Sequence, residues 1–319
     1  MLRTILIYLS QADWARQIVT RWSFARKVAS RFIAGEKLDD AIEVIRTLNS
    51  EDINATLDHL GEHTSNPEKA VQATNDIIAI LERIHREGVR SGVSVKLTQI
   101  GLAVDEDLCA ANLDKLLDIA ANLSIFIRID MEDSPWVDKT LNLFKHCLEL
   151  FSSENVGIVI QSYLYRSEED VSVLLRDGSR IRVCKGAYKE PENIAYPDKS
   201  DVDANFDLLV QHLLEGSKEN GTPSLSDDGK IPPIPAIASH DEERINFTKR
   251  LLGEMGLPKE SVEFQMLYGI RRDLQKSLVG EGYPVRVYVP YGSEWYPYFT
   301  RRLAERPANL WFFISNLFR

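Results

Sequence analysis

Residues 125–161 read IFIRIDMEDSPWVDKTLNLFKHCLELFSSENVGIVIQ and hold one complete folding unit. A short β-prone run, Ile125–Ile129, stops at the acids Asp130 and Glu132. An amphipathic stretch with helical spacing follows from Val137 to Phe151, and a second β-prone run occupies Val156–Ile160. Strand–helix–strand alternation of this kind predicts a parallel sheet.

The same unit repeats on both sides. Further strand candidates are Ala55–His59, Val93–Leu97, Arg180–Cys184, Pro235–Ser239, Val262–Leu267 and Val285–Val289. Between them lie amphipathic segments at Asn66–Glu87, Leu108–Asn122, Glu168–Arg176, Asp201–Ser217, Glu242–Met255 and Tyr268–Gly280. From Leu2 to about Leu48 the pattern is helical as well. Eight strand–helix units close a (β/α)8 barrel. The expected fold is therefore α/β, a distorted TIM barrel with additional N-terminal helices and a C-terminal helix. Residues 1–50 are expected to form the helical segment and residues 51–319 the barrel, one domain overall. An open doubly wound sheet fits less well, because no Gly-rich dinucleotide fingerprint follows an early strand.

Composition narrows the function. The chain of 319 residues is 44% hydrophobic and 27% charged, an ordinary soluble balance. Its formal charge of −10 argues against general nucleic-acid binding. Cys109, Cys147 and Cys184 lack metal-ligand spacing and suit reduced thiols in the cytoplasm. No run approaches the roughly 18 apolar residues of a spanning helix, and Ile5–Leu9 is too short for a signal-peptide core.

Active sites of this barrel sit at the C-terminal ends of the strands. Ionisable and polar residues cluster there: Glu62, Lys96, Asp130, Gln161, Lys185, His240, Gln265 and Tyr288. Lys96, inside Val93–Leu97, must find a carboxylate or shift its pKa, and Asp130 on the neighbouring strand is the expected partner. In a helix, Tyr298, Arg301, Arg302 and Glu305 share one face. Two adjacent guanidiniums there call for an anion, and a small carboxylate matches their planar fork.

Several motifs resemble those of proline dehydrogenases. They are Ser94–Leu97, Ile129–Glu132, Gln161–Tyr163, Arg182–Tyr188, Glu263–Gly269, Arg286–Pro290 and the closing run from Tyr298 to Asn309. The resemblance runs from about Glu62 to Asn309, one motif per strand, and is closest to the short monofunctional bacterial form. It implies oxidation of L-proline to Δ1-pyrroline-5-carboxylate, the first step of proline degradation, with a noncovalent FAD taking the hydride equivalent. It further implies that electrons pass to a membrane quinone. On this resemblance, Lys96, Arg301 and Arg302 hold the proline carboxylate, and Asp130 neutralises Lys96. Leu267, Tyr288 and Tyr298 wall the ring, and Glu62 is a gate acid pairing with Arg301. Arg182 lies near flavin N5, where a cation stabilises the reduced ring. Lys185, Gly186, Ala187 and Tyr188 bind FAD, with Gln161 on the ring edge and Met131 beside it. Ser239–His240 stands where the family usually has Thr-His, and Glu305 reaches toward the adenosine side.

Two other activities compete. Carboxylates at strand ends also suit a metal-dependent hydrolase or lyase of a small carboxylate. The positive charge of Lys96, Arg301 and Arg302 favours an anionic substrate over a divalent cation, so no metal is expected. A hydroxyproline dehydrogenase is disfavoured because Tyr288 would crowd a ring hydroxyl. The apolar tail Leu310–Arg319 fits a packed terminal helix or peripheral contact with the inner face of the membrane. Trp14, Trp22 and Phe24 suit the same contact or a homo-oligomer.

Overall fold

A computed structural model describes residues 29–61 and 63–305, the last five by their backbone alone. Glu62 and the side chains of Arg301, Arg302 and Glu305 therefore lie outside the described residues, as do the proposed N-terminal contact helices and the apolar tail.

Eight parallel strands close into a barrel in sequence order. They are β1 (Asn54–His59), β2 (Ser91–Val95), β3 (Ile127–Ile129), β4 (Val156–Gln161), β5 (Arg180–Cys184), β6 (Pro235–Ala238), β7 (Glu263–Leu267) and β8 (Val285–Tyr291). The seam is β1 against β8, with Thr56 opposite Tyr288. The helices are α1 (Leu38–Ser50), α2 (Pro67–Glu87), α3 (Glu106–Asn122), α4 (Val137–Leu150), α5 (Ser167–Arg176), α6 (Lys199–Glu219), α7 (Glu242–Glu254), α8 (Arg272–Gly280) and α9 (Trp295–Glu305). None among the described residues is long and apolar enough to cross a membrane.

Most elements fall where the periodicity puts them, and the exceptions have local causes. β2 is shifted two residues toward the N-terminus, so Lys96 follows the strand instead of lying inside it. β3 starts late because the Ile125 amide donates to Ala120 at the end of α3. α3 begins at Glu106, where the Asp105 carboxylate caps the Leu108 amide at 2.8 Å. α8 begins at Arg272, after a turn in which Gly269 and Arg271 both have positive φ. The helical pattern before Leu48 is broken by turns and bends at 30–37. That stretch forms a strap, with the Ala34 amide on the Pro290 carbonyl at 2.9 Å and the Gly292 amide on the Gly35 carbonyl at 3.0 Å.

Alternation along the strands separates two layers. Outward residues such as Leu57, Val93, Val95, Ile158, Ile160, Phe264 and Val287 are buried against the helices. On α2 the matching stripe is Ile77, Ile80, Leu81 and Ile84, at i, i+3, i+4 and i+7. The inward layer is polar, where barrels of this class usually carry branched apolar residues. Asn54, Thr56, Asp58, Ser94, Arg128, Arg180, Arg182, Glu263, Gln265 and Arg286 are all buried.

The lower arginines hold the barrel floor. Arg286 Nη1 donates to the Ala55 carbonyl at 2.8 Å, and its Nη2 donates to that of Gly229 at 2.7 Å. Arg180 donates to the Pro232 carbonyl, so both grip the loop that closes the floor. Arg128 lies over the Phe126 ring at 4.8 Å and donates to the carbonyls of Ile158 and Arg180. Burial and neighbouring guanidiniums push its pKa well down from the usual arginine value.

Gly157 makes this arrangement fit. A Cβ there would collide with the Arg180 carbonyl, the Arg128 guanidinium and the Phe126 ring. Gly157→Ala should therefore destabilise the protein by about 1–3 kcal/mol, the usual cost of overpacking. Urea unfolding measures it, and an unchanged midpoint would contradict the tight floor.

Candidate active site

The C-terminal mouth of the barrel opens into a cavity of 640 Å³. Every described residue singled out from the sequence as a site residue lines it. From β2 and β3 come Lys96, Asp130 and Met131, and from β4 and β5 come Gln161 and Arg182. The loop after β5 supplies Lys185, Gly186, Ala187 and Tyr188. Ser239 and His240 follow β6, Leu267 ends β7, Tyr288 lies on β8 and Tyr298 on α9.

Arg182 is the hub of the cavity floor. Its Nε donates to Gln265 Oε1 at 2.6 Å and its Nη1 to Asp130 Oδ1 at 3.0 Å. Ser94 Oγ accepts from both terminal nitrogens at 3.4 and 3.3 Å, and the Tyr288 ring lies 5.4 Å from the guanidinium carbon. The other Asp130 oxygen accepts from the Tyr288 hydroxyl at 2.7 Å. Burial, reinforced by Asp130, raises the Tyr288 pKa well above its ordinary value and keeps the phenol a donor.

The expected ion pair of Lys96 with Asp130 is present, and Asp58 joins it as a closer partner. Lys96 Nζ lies 2.9 Å from Asp58 Oδ1 but 3.7 Å from Asp130. β2 is flanked by both β1 and β3, and Asp58 stands in register with Ser94. Its carboxylate therefore points into the barrel beside the lysine, while Asp130 is drawn to Arg182. Lys96 also donates to the Tyr288 hydroxyl at 3.4 Å.

The β5 exit is shaped by Gly186, whose φ of +103° suits glycine and where a Cβ would strike the Tyr163 ring. His240 turns inward along β7, its Nε2 accepting the Leu267 amide at 2.9 Å. The proton of a neutral ring then sits on Nδ1. Gln161 Nε2 donates to the Met131 carbonyl at 3.3 Å, while its buried Oε1 has no hydrogen-bond partner among the described residues.

A charged rim stands beside the mouth, and the sequence reading missed it. Lys185 Nζ lies 2.5 Å from Asp203 and 2.7 Å from Asp241. Lys199 pairs with Asp203, and Arg244 lies 3.0 Å from Asp207. Burial alone would raise Asp203 and Asp241, but Lys185 and Lys199 together, helped at Asp241 by the Glu243 amide, outweigh it and hold both below the ordinary range. For Asp207 burial prevails over Arg244, and the carboxyl is pushed up to about 6. Asp58, Lys199, Asp241 and Ile270 join the cavity wall unforeseen, beside the expected Gln265. Of these only Asp58 carried a sequence signal, as a polar residue at an inward position of a strand. Among the described residues no three His, Cys, Asp or Glu side chains are grouped to hold a metal ion.

Native Asp207 keeps its proton to about pH 6, whereas the unfolded chain loses it near 3.8. Stability should therefore fall as pH rises through that window and stay lower above it. Asp207→Asn removes this slope. Relative to the parent, the variant should gain on the order of 1–2 kcal/mol between pH 4 and 7, allowing for solvent screening at the rim. Denaturant unfolding across that range measures the gain, and a difference independent of pH would refute it.

Comparisons with known proteins agree on one family. The sequence model of a family described as Proline dehydrogenase matches residues 41–314. Proline dehydrogenase 2 of Bacillus subtilis is 40% identical over 316 residues, covering 99% of this chain and 98% of that protein. Proline dehydrogenase of Deinococcus radiodurans is 43% identical over 296 residues, covering 92% and 90%. Among solved structures, proline utilization A of Bdellovibrio bacteriovorus inactivated by N-propargylglycine superposes with a TM-score of 0.79 at 27% identity. That match covers 88% of this chain and 33% of the larger protein.

Proposed function

This chain belongs to the proline dehydrogenase family, and on that premise we propose that it oxidises L-proline to Δ1-pyrroline-5-carboxylate with FAD as cofactor and a quinone as electron acceptor. One observation carries the reading: Lys96, Asp130, Arg182 and Tyr288 converge on a single cavity at the barrel mouth. The residues fit the cofactor. The unpartnered Gln161 Oε1 is a ready acceptor for a flavin ring N–H. Gly186 lets backbone approach closely, and Lys185 beside the mouth offers charge to a diphosphate.

Bound FAD would supply the oxidant, accepting the hydride equivalent that leaves C5 of proline. Lys96 would hold the substrate carboxylate together with Arg301 and Arg302, and Asp58 and Asp130 would keep the ammonium in place. Tyr288, Leu267 and Tyr298 would wall the ring, and Glu62 would close over the substrate by pairing with Arg301. Arg182 would set a fixed positive charge where electron density arrives, so no group need reorganise during transfer. Met131, Ala187, Tyr188, Ser239 and His240 would complete the cofactor wall, with Glu305 toward the adenosine. The acceptor would be met at a membrane surface by a protein that otherwise resides in the cytoplasm.

Purified protein loaded with FAD should be yellow, bleach anaerobically on adding L-proline and reduce a soluble quinone. Protein that takes up no FAD, or flavin that proline leaves oxidised, would sink the reading. Lys96→Met should bind FAD normally and raise KM for proline roughly ten- to a hundredfold, the worth of one charge-assisted hydrogen bond. An unchanged KM would remove Lys96 from the carboxylate site.

A further inference from the structure

Glu263 is a fully buried carboxylate that lies outside the cavity lining. It opens β7, two residues below Gln265, with both side chains inward. Its Oε1 accepts from Arg286 Nε at 2.8 Å and from Gln265 Nε2 at 2.6 Å. The Gln265 carbonyl oxygen, at the other end of the same amide, accepts from Arg182 Nε at 2.6 Å. An unbroken line of hydrogen bonds thus runs from the barrel floor to the cavity.

Only one orientation of the Gln265 amide satisfies both neighbours. Turned over, its oxygen would face the Glu263 carboxylate and its NH2 would face the Arg182 N–H, losing both bonds and opposing like partners. The negative charge of Glu263 therefore decides which end of the amide reaches Arg182. Asp130 holds the opposite edge of the guanidinium at 3.0 Å. With Gln265 reversed, Arg182 Nε would lose its short bond, and the plane would rest on Asp130 and the two longer bonds to Ser94.

We propose that Glu263 is a positioning residue for proline oxidation: anchored by Arg286, it locks Gln265 with its oxygen toward Arg182 and so fixes the guanidinium in the cavity floor. The proposal rests on the FAD-dependent reading of the site. Glu263 touches neither substrate nor cofactor and acts through two hydrogen bonds.

The sign of one measurement separates this role from a through-space charge effect. Glu263→Met removes both the negative charge and the oxygen that accepts from Arg286 and Gln265, and loss of the charge by Coulomb attraction alone makes the bound flavin easier to reduce. Freeing Arg182 does the reverse, because a wandering cation stabilises the reduced ring less. The flavin midpoint potential of Glu263→Met should therefore move to more negative values. Anaerobic flavin reduction by proline should slow roughly tenfold or more, since misplacing a positioned group by about 1 Å can cost on the order of 10²-fold. KM for proline should stay near that of the parent.

Gln265→Met keeps the Glu263–Arg286 pair and should produce the same two changes. The double variant should be no worse than Gln265→Met alone, as expected for residues acting through one path. A potential that rises or stays put in Glu263→Met, or losses that multiply in the double variant, would overturn the proposal. If Glu263→Met does not fold, Gln265→Met decides, and an unchanged potential and rate in it are fatal. A parent whose FAD is not reduced by proline overturns the functional reading and this proposal together. A parent that turns over with both variants unaffected overturns this proposal alone.

Discussion

Buried charge inside the barrel is the constraint on which the rest of the structure depends. Lys96, Arg128, Arg180, Arg182 and Arg286 project inward against the three carboxylates Asp58, Asp130 and Glu263, all nearly or fully buried. Charges withdrawn from water cost several kcal/mol each unless paired and hydrogen-bonded, and such pairs add little net stability. The outer shell of Val, Ile, Leu and Phe between sheet and helices must supply the favourable term. In return the interior holds long side chains at fixed angles. Gly157 on β4 makes room for them, since a Cβ there would meet the Arg128 guanidinium.

That arrangement explains how much of the molecule was legible in the sequence. The outer layer obeys simple periodicity, so the barrel, its eight strands and most helix spans can be read from apolar spacing. Strand ends were equally legible, and Lys96, Asp130, Arg182 and Tyr288 do meet there. Pairing was legible only in part. Lys96 meets Asp130 as expected, but its closer partner Asp58 shows only from the register Asp58–Ser94. Lys199, Asp203 and Arg244 escaped notice because they sit in ordinary amphipathic helices whose first turns happen to meet at the rim. The inward polar alternation of Glu263, Gln265 and Leu267 was visible in the string but carries meaning only once the barrel closes.

The ends of the barrel depart from the simplest plan. α1 packs on β1 and β8 through Ala41, Ile42, Ile45 and Leu48, filling the place in the outer ring that an eighth helix would take. α9 is thereby free to lie over the mouth, with Tyr298 in the cavity wall. Its first turn is pinned from the N-terminal side: Trp295 Nε1 donates to Glu36 at 3.1 Å, and the Phe299 ring sits 6.3 Å from that of Phe32. The mouth is thus finished by residues from both ends of the described chain.

The strap at Ala34 and Gly35 and the β1–β8 seam bear on how the molecule assembles. Seven of the eight strand pairings join consecutive strands, so each closes a modest loop. The seam and strap instead join residues near 35 and 55 to residues near 290. Loop-closure entropy grows only slowly with length, but it must be met before such distant contacts return anything. A nascent chain can therefore lay down strand after strand while its mouth stays unfinished. Competence for chemistry arrives with the last strand and helix, so a truncated or stalled product would be an open sheet with no working site.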